Sequence, residues 1–235
     1  ALALLATVAI TMSSCLHIIE EITVKKDGGG SYKMTLDMSE VKGMMEMMKG
    51  MAPDSASADG GGMGGDNSMG QMGEELTNVA KSLEGTPGLT NIKEIKDTAS
   101  FIFGYSFDFQ DAVALNKALK IVNKEKFDSK TEEIFKIDGK KFERLAVGDF
   151  GAELKKQMSE AGGEDGEEGQ MDMIKMFFSD MSYKQVYHFE REVKKSSNKL
   201  SEVSADGKTV TITLKPFDEE QAKKNPSVAT EIKLK

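Results

Sequence analysis

Residues 101–109 read FIFGYSFDF, an alternation in which every odd-numbered position carries an aromatic ring. Successive side chains of a β-strand point to opposite faces, so the five rings share one face. Aromatic residues also favour the half-buried surface of a sheet. The stretch therefore predicts a strand with one buried face, and the strength of the signal predicts a place in the middle of the sheet.

The sequence around this strand indicates three successive units, each a hairpin followed by a helix. In the first unit, 16–25 and 31–38 alternate about a turn signal, Asp27-Gly28-Gly29-Gly30. Strands joined by short turns pair antiparallel, so we expect an α+β fold: an antiparallel sheet built from repeated hairpin-helix units, with the helices on one side. The expected strands are 16–25, 31–38, 89–96, 101–109, 132–137, 141–147, 183–194, 200–205, 209–215 and 230–234, and the expected helices are 39–48, 74–83, 111–122, 149–159, 171–178 and 218–223.

An uncharged apolar run opens the sequence and ends at its single cysteine: ALALLATVAITMSSC, residues 1–15. The run has the length of a signal-peptide core and is too short to span a bilayer. Because Met12-Ser13-Ser14-Cys15 resembles a bacterial lipobox, we expect 1–14 to be a signal peptide and Cys15 to carry a lipid. The positively charged segment that precedes such a core is missing, and we expect it upstream of Ala1. Two alternatives remain open: a cleaved signal with a free Cys15, and a buried N-terminal helix with an incidental cysteine.

The remaining residues, 15–235, are long enough for a single exported domain held by its own core. Within it, 53–73 and 161–170 are rich in glycine and polar or acidic residues, so we expect two mobile loops that are dispensable for folding. The formal net charge of −8 speaks against nucleic acid and predicts repulsion from anionic lipid head groups. We therefore expect attachment to a membrane through the N-terminal lipid.

Methionine is the unusual residue type, with 16 copies in 235 residues. Met44, Met45 and Met48 fall on one face of an expected helix, within a Met-rich segment at 38–72. Thioethers are soft ligands that suit Cu(I), which makes a soft-metal site one interpretation. The same side chains serve equally as an adaptable binding surface or as plain packing. We interpret Met44, Met45 and Met48 as a possible binding surface and expect no metal site.

Other chemistry-bearing residues give no catalytic pattern. His17 and His188 have no nucleophile or carboxylate at a diagnostic spacing, so we interpret both as solvent- or sheet-facing residues. Glu20 and Glu21 are adjacent on a strand and point to opposite faces, so they cannot form a carboxylate pair. The acidic run 164–168 lacks the spaced ligands of a calcium loop. We expect no enzyme, no catalytic residue and no cofactor.

Several features together resemble a known group of proteins. They are Cys15 with a strand starting at once, the turn 27–30 followed by Tyr32, and an aromatic strand running into FQDAVALNKAL, residues 109–119. Over about 15–122 the chain is similar to small bacterial lipoproteins with an LppM-like ectodomain, especially the Met-rich versions of Bacteroidota-like bacteria. The resemblance implies an envelope lipoprotein with a hairpin-and-helix α+β ectodomain that contacts lipids or glycolipids, and it supplies no catalytic residues.

The function that we expect is therefore non-enzymatic. It is a lipid-anchored envelope lipoprotein, held at the inner or outer membrane, that binds a lipid, a glycolipid or an envelope protein at the membrane surface. The alternative is a periplasmic Cu(I)-binding protein that uses the Met-rich segment 38–72.

Overall fold

A computed structural model describes residues 16–40, 42, 75, 78–123, 133–145, 180–222 and 227–235. Two β-sheets are the main structure of these described residues. The larger sheet has seven strands in the order β3-β4-β2-β1-β7-β10-β9, and the smaller has four in the order β5-β6-β11-β8. The strands are β1 His17–Val24, β2 Gly30–Asp37, β3 Leu89–Asp97, β4 Ile102–Phe109, β5 Phe135–Asp138, β6 Lys141–Arg144, β7 Ser182–Phe189, β8 Val193–Ser196, β9 Ser201–Val203, β10 Thr209–Leu214 and β11 Thr230–Leu234. The helices that lie wholly within the described residues are α1 Ala112–Val122 and α2 Glu219–Ala222.

The core lies on one face of the seven-stranded sheet. Phe103, Tyr105, Phe107 and Phe109 of β4 all point to this face and are at most 4% exposed. Helix α1 covers the face at β3 and β4, and the four-stranded sheet covers it at β7, where the ring of Phe142 lies 4.8 Å from that of Tyr187. The aromatic alternation of β4 thus supplies much of the core, as the sequence predicts.

Asn116 joins α1 to the smaller sheet. Its side-chain oxygen accepts hydrogen bonds from the backbone N–H groups of Ile134 and Phe135, and its amide nitrogen donates to the carbonyl of Phe135. The helix begins where the sequence predicts, because the Asp111 carboxylate accepts from the Ala114 N–H at its first turn. This helix therefore positions the β5–β6 hairpin over the core.

The predicted architecture of repeated hairpin-helix units with an antiparallel sheet is wrong. The described residues are mostly strand, and β1 and β7 pair in parallel, which makes the larger sheet mixed. The hairpins β1–β2, β3–β4 and β5–β6 do form, but the last of them belongs to a separate sheet. Local turn signals determined these hairpins, whereas the parallel pair joins strands 165 residues apart, for which no local signal exists.

Three strand predictions also need correction. The aromatic strand β4 is second from an edge rather than central, and β1 occupies the middle. Phe101 precedes β4 with a φ of 55°, so its ring does not extend the buried row. The expected strand 183–194 is interrupted at 190–192, and the chain passes there from the larger sheet to the smaller.

Several predictions fall on residues outside the described ranges. These include 1–15, most of the expected helix 39–48, the helices 149–159 and 171–178, and the loops 53–73 and 161–170. Residues 78–83 are helical, in agreement with the expected helix at 74–83. No helix among the described residues combines the length and hydrophobicity needed to cross a bilayer.

Candidate functional site

The most unusual chemical feature of the core is a charged residue on its apolar face. Glu20 lies between Ile18 and Ile22 on the inward side of β1, and only 3% of it is exposed. An ionised carboxylate at such a position needs a partner. Arg144, the last residue of β6, supplies it from the opposite sheet, and its side chain is 10% exposed. The ion pair therefore connects the two sheets through the core.

The geometry of this pair is bidentate. Arg144 donates from Nε to one oxygen of Glu20 and from Nη2 to the other, each over 3.1 Å. The hydroxyl of Tyr183 donates to Oε2 of Glu20 over 2.8 Å and accepts from Arg144 Nη2 over 2.9 Å. The hydroxyl of Tyr187 donates to Oε1 over 3.3 Å. We call Glu20, Arg144, Tyr183 and Tyr187 the buried polar cluster.

Electrostatics keep Tyr183, Tyr187 and Arg144 each in one protonation state. Burial raises the pKa of the Tyr183 and Tyr187 hydroxyls, and the nearby Glu20 carboxylate raises it further. Burial works against the charge of Arg144, but Glu20 overcomes this effect and its pKa lies well above the ordinary value. The tyrosines are therefore neutral donors and the guanidinium is charged.

The other two tyrosines of the chain lie beside the cluster on the same face. Tyr32 and Tyr105 stack with ring centroids 6.1 Å apart, and burial raises the pKa of both hydroxyls. The sequence contains four tyrosines, so every tyrosine of the chain lies in this part of the core. Gln185, opposite Glu20 on β7, is completely buried, and its Oε1 has no hydrogen-bond partner among the described residues.

The buried polar cluster is suited to holding the sheets together rather than to reaction. Each oxygen of Glu20 already accepts two hydrogen bonds, so the carboxylate has little capacity left for a substrate or a metal ion. A general acid or base needs access to the proton that it transfers. Here the carboxylate is closed off from solvent, and its partners are neutral or permanently charged.

The opposite face of the seven-stranded sheet, which we call the outer face, carries both histidines. His188 lies between Thr209 Oγ1 and Glu21 Oε1, each 3.0 Å from a ring nitrogen. His17 Nδ1 is 2.7 Å from Ser182 Oγ. The order hydroxyl, imidazole, carboxylate also occurs in catalytic triads. However, the His188 side chain is 37% exposed on a sheet surface, and a hydrolytic site needs an enclosed position with oxyanion donors.

The faces predicted for Glu20, Glu21 and the two histidines agree with the structure. Glu20 and Glu21 point to opposite faces, and both histidines face away from the core. Among the described residues no group of three His, Cys, Asp or Glu side chains is placed to hold a metal ion. Cys15, Met44, Met45 and Met48 lie outside the described residues. The lipid site and the possible methionine surface therefore stay predictions.

Sequence reasoning missed Arg144, Tyr183 and Tyr187. One signal was present: Glu20 interrupts an otherwise apolar face of β1, and a buried acid requires a basic partner. Since the chain has only two arginines, the candidates for a bidentate partner were few. The sequence offered no means to choose between them, because the choice depends on how the second sheet packs.

Comparison with known proteins gives one distant likeness. No protein-family model matches the sequence, and no curated protein matches it. The folded domain of the Mycobacterium tuberculosis LppM protein, solved by NMR, is similar over 95% of this chain and 91% of that chain, with 10% sequence identity and a TM-score of 0.39. The likeness is a distant structural resemblance.

Proposed function

We propose that this protein is a lipid-anchored, non-enzymatic envelope protein that binds a lipid, a glycolipid or a partner protein at the membrane surface. The observation that carries the proposal is the position of Leu16, the residue next to Cys15. Leu16 is 8% exposed, and its carbonyl accepts a hydrogen bond from the Ser182 N–H over 3.1 Å. A lipid on Cys15 would therefore hold this end of the sheet at the membrane without a flexible tether.

Two methionine-rich segments are connected in sequence to strands that meet at this end of the sheet. His17 pairs with Asp37 at the end of β2 and with Ser182 at the start of β7. The segment 38–72, with nine methionines, follows Asp37, and 158–181, with five, leads into Ser182. Met38 and Met181, the described members nearest the sheet, are 2% and 1% exposed. Flexible thioether side chains suit an adaptable apolar ligand surface, which supports binding beside the membrane.

The non-enzymatic part of the proposal rests on how the polar groups are used. The polar groups of the buried polar cluster form hydrogen bonds to one another. Both ring nitrogens of His188 have hydrogen-bond partners on an open sheet face. We therefore assign the protein a binding role.

Anchoring is tested by Cys15→Ala in the full-length precursor, expressed in a bacterium that lipidates such precursors. We expect the unchanged protein in the detergent phase on phase partition and the variant in the aqueous phase, with the same circular dichroism spectrum. If the variant stays in the detergent phase, the anchor is not on Cys15 and the proposal fails at its first step.

Binding is tested by replacing residues 53–73 with a short Gly-Ser linker, with the same replacement of 161–170 as the matched control. The entropic cost of closing a loop changes only slowly with its length, so we expect both variants to fold. Native mass spectrometry of protein purified from its own membranes should show a co-purified lipid or partner in the unchanged protein and the control, and its loss in the 53–73 variant. Equal retention in all three would exclude the methionine-rich loop as the binding surface.

A further inference from the structure

The second arginine of the chain, Arg191, lies at the end of the larger sheet away from Leu16, where the chain passes between the two sheets. Arg191 occupies the break at 190–192, where the chain leaves β7 and enters the four-stranded sheet. Its Nε is buried and has no hydrogen-bond partner among the described residues. A buried N–H without an acceptor costs about 1–3 kcal/mol, so such groups call for an explanation.

A small, open cleft lies beside this arginine. Its walls come from the end of β1 and the following turn, from the β5–β6 hairpin, from the residues after β7 and from the end of β11. The lining residues are Val24, Lys25, Lys26, Ile137, Gly139, Lys141, Phe142, Glu190, Arg191 and Leu234. We call this the basic cleft, because its lining has four cationic side chains and one carboxylate.

The charges of the basic cleft are not neutralised from within. Lys141 is paired with Glu143 and Glu231, over 3.1 and 2.9 Å, and neither acid lines the cleft. Glu190 accepts a hydrogen bond from the Lys26 backbone N–H over 2.9 Å, which holds its carboxylate at the turn. With Lys141 set aside, Lys25, Lys26 and Arg191 still give three cations against one carboxylate. This local excess occurs in a chain whose net charge is −8.

We propose that the basic cleft binds a phosphate group carried by a soluble molecule, with the guanidinium of Arg191 as the principal donor. A guanidinium presents parallel N–H groups that match the oxygens of a phosphate, and such charge-assisted bonds are stronger than neutral ones. The ammonium groups of Lys25 and Lys26 add charge at the exposed rim. Only Nε of Arg191 is both buried and unpaired, so its two terminal N–H₂ groups are the donors that reach the cleft.

The location of the cleft favours a soluble source of the phosphate over the lipid of the anchoring membrane. Strand β1 runs from His17, next to the proposed lipid site, to Val24 at the cleft. Seven steps of a strand span roughly 23 Å. The cleft thus lies at the far end of the sheet from Leu16, and an anchor at Cys15 would turn it away from the membrane surface.

The first test titrates inorganic phosphate into the full chain in detergent, at constant ionic strength kept with chloride, and follows heat release by calorimetry. We expect one saturable site, at least a tenfold loss of affinity in Arg191→Gln, and a partial loss in Arg191→Lys, which keeps the charge without the planar donor pair. The matched control is Lys184→Gln, an exposed cation near the start of the same strand, β7, which should leave the affinity within twofold.

The exposed pair Lys25→Gln and Lys26→Gln provides a second route if Arg191→Gln does not fold, and it should weaken binding severalfold. Absence of saturable binding overturns the proposal, as does an equal loss in Lys184→Gln, which indicates a general charge effect. A second arm measures flotation of the Cys15→Ala protein with phosphatidylglycerol vesicles. Flotation that depends on Arg191, without binding of inorganic phosphate, overturns the soluble source in favour of a lipid head group.

Discussion

Removing the charge of Glu20 is a small change in side-chain volume that the structure predicts to cause a large loss of stability. Glu20→Gln keeps the volume of the side chain but replaces one acceptor oxygen with an amide N–H₂, which faces the donors of Arg144 and a tyrosine hydroxyl. The guanidinium would remain charged and buried without its counterion. Breaking a buried ion pair from one side costs about 3–5 kcal/mol, so we expect a loss of this size in the free energy of unfolding.

The assay is urea unfolding followed by far-ultraviolet circular dichroism at neutral pH. Glu21→Gln is a matched control from the adjacent position, because Glu21 lies on the outer face at 36% side-chain exposure and pairs with Lys33 and His188. Exposed pairs contribute at most about 1 kcal/mol, so this variant should unfold near the midpoint of the unchanged protein.

A double-mutant cycle separates the pair from its surroundings. Arg144→Met should also destabilise the protein by about 3–5 kcal/mol, since it leaves the Glu20 carboxylate buried without its bidentate partner. The double variant should cost clearly less than the sum of the two, because neither charge is then stranded. Additive losses, or a loss below about 1 kcal/mol in Glu20→Gln, would refute the reasoning that this pair clamps the two sheets.

Three further predictions test the core. Burial raises the pKa of all four tyrosines above the ordinary 10.0, so in an alkaline titration tyrosinate absorbance should appear only as the protein unfolds. Past about pH 10 the unfolded state alone releases these protons, so the free energy of unfolding should fall as pH rises. Early, stepwise absorbance would contradict the burial. Phe107→Ala should cost about 3–5 kcal/mol in urea unfolding, against little change in Val113→Ala, whose side chain is 76% exposed; equal midpoints would contradict the placement of the core. Asn116→Ala should cost about 2–3 kcal/mol, since the N–H groups of Ile134 and Phe135 lose their acceptor, and an unchanged midpoint would show that the α1–β5 contact is dispensable.

The hairpins and the helix α1 were predictable because their signals are local. The turn at 27–30, the glycine at Gly139 and the capping carboxylate of Asp111 each act within a few residues of the element that they define. The pairing of β1 with β7 was not predictable, because it depends on which distant strand best buries the inward row of β1. The division into two sheets was not predictable for the same reason. The sequence pattern of the hairpin β5–β6 is the same whether the hairpin extends the larger sheet or packs over it.

The candidate site shows the same division between local and distant information. That Glu20 is inward and Glu21 outward follows from alternation alone, and the structure agrees. That Arg144 rather than Arg191 completes the buried polar cluster follows only from the packing of β6 over β1. The leftover arginine is informative for this reason, because the same packing leaves its Nε buried without an acceptor at the edge between the sheets.

The central strand β1 connects the two proposed activities and keeps them separable. Its start at His17 adjoins the proposed lipid site, its middle residue Glu20 is clamped to the second sheet, and its end at Val24 lines the basic cleft. Sites roughly 23 Å apart on a strand contribute independently unless a shared element moves between two states. Arg191→Gln should therefore weaken phosphate binding without changing detergent partition, and Cys15→Ala should do the reverse. Glu20→Gln should reduce the stability on which both activities depend. If a variant loses phosphate binding and detergent partition together, the cause is unfolding after loss of the Glu20–Arg144 pair and not damage to either site.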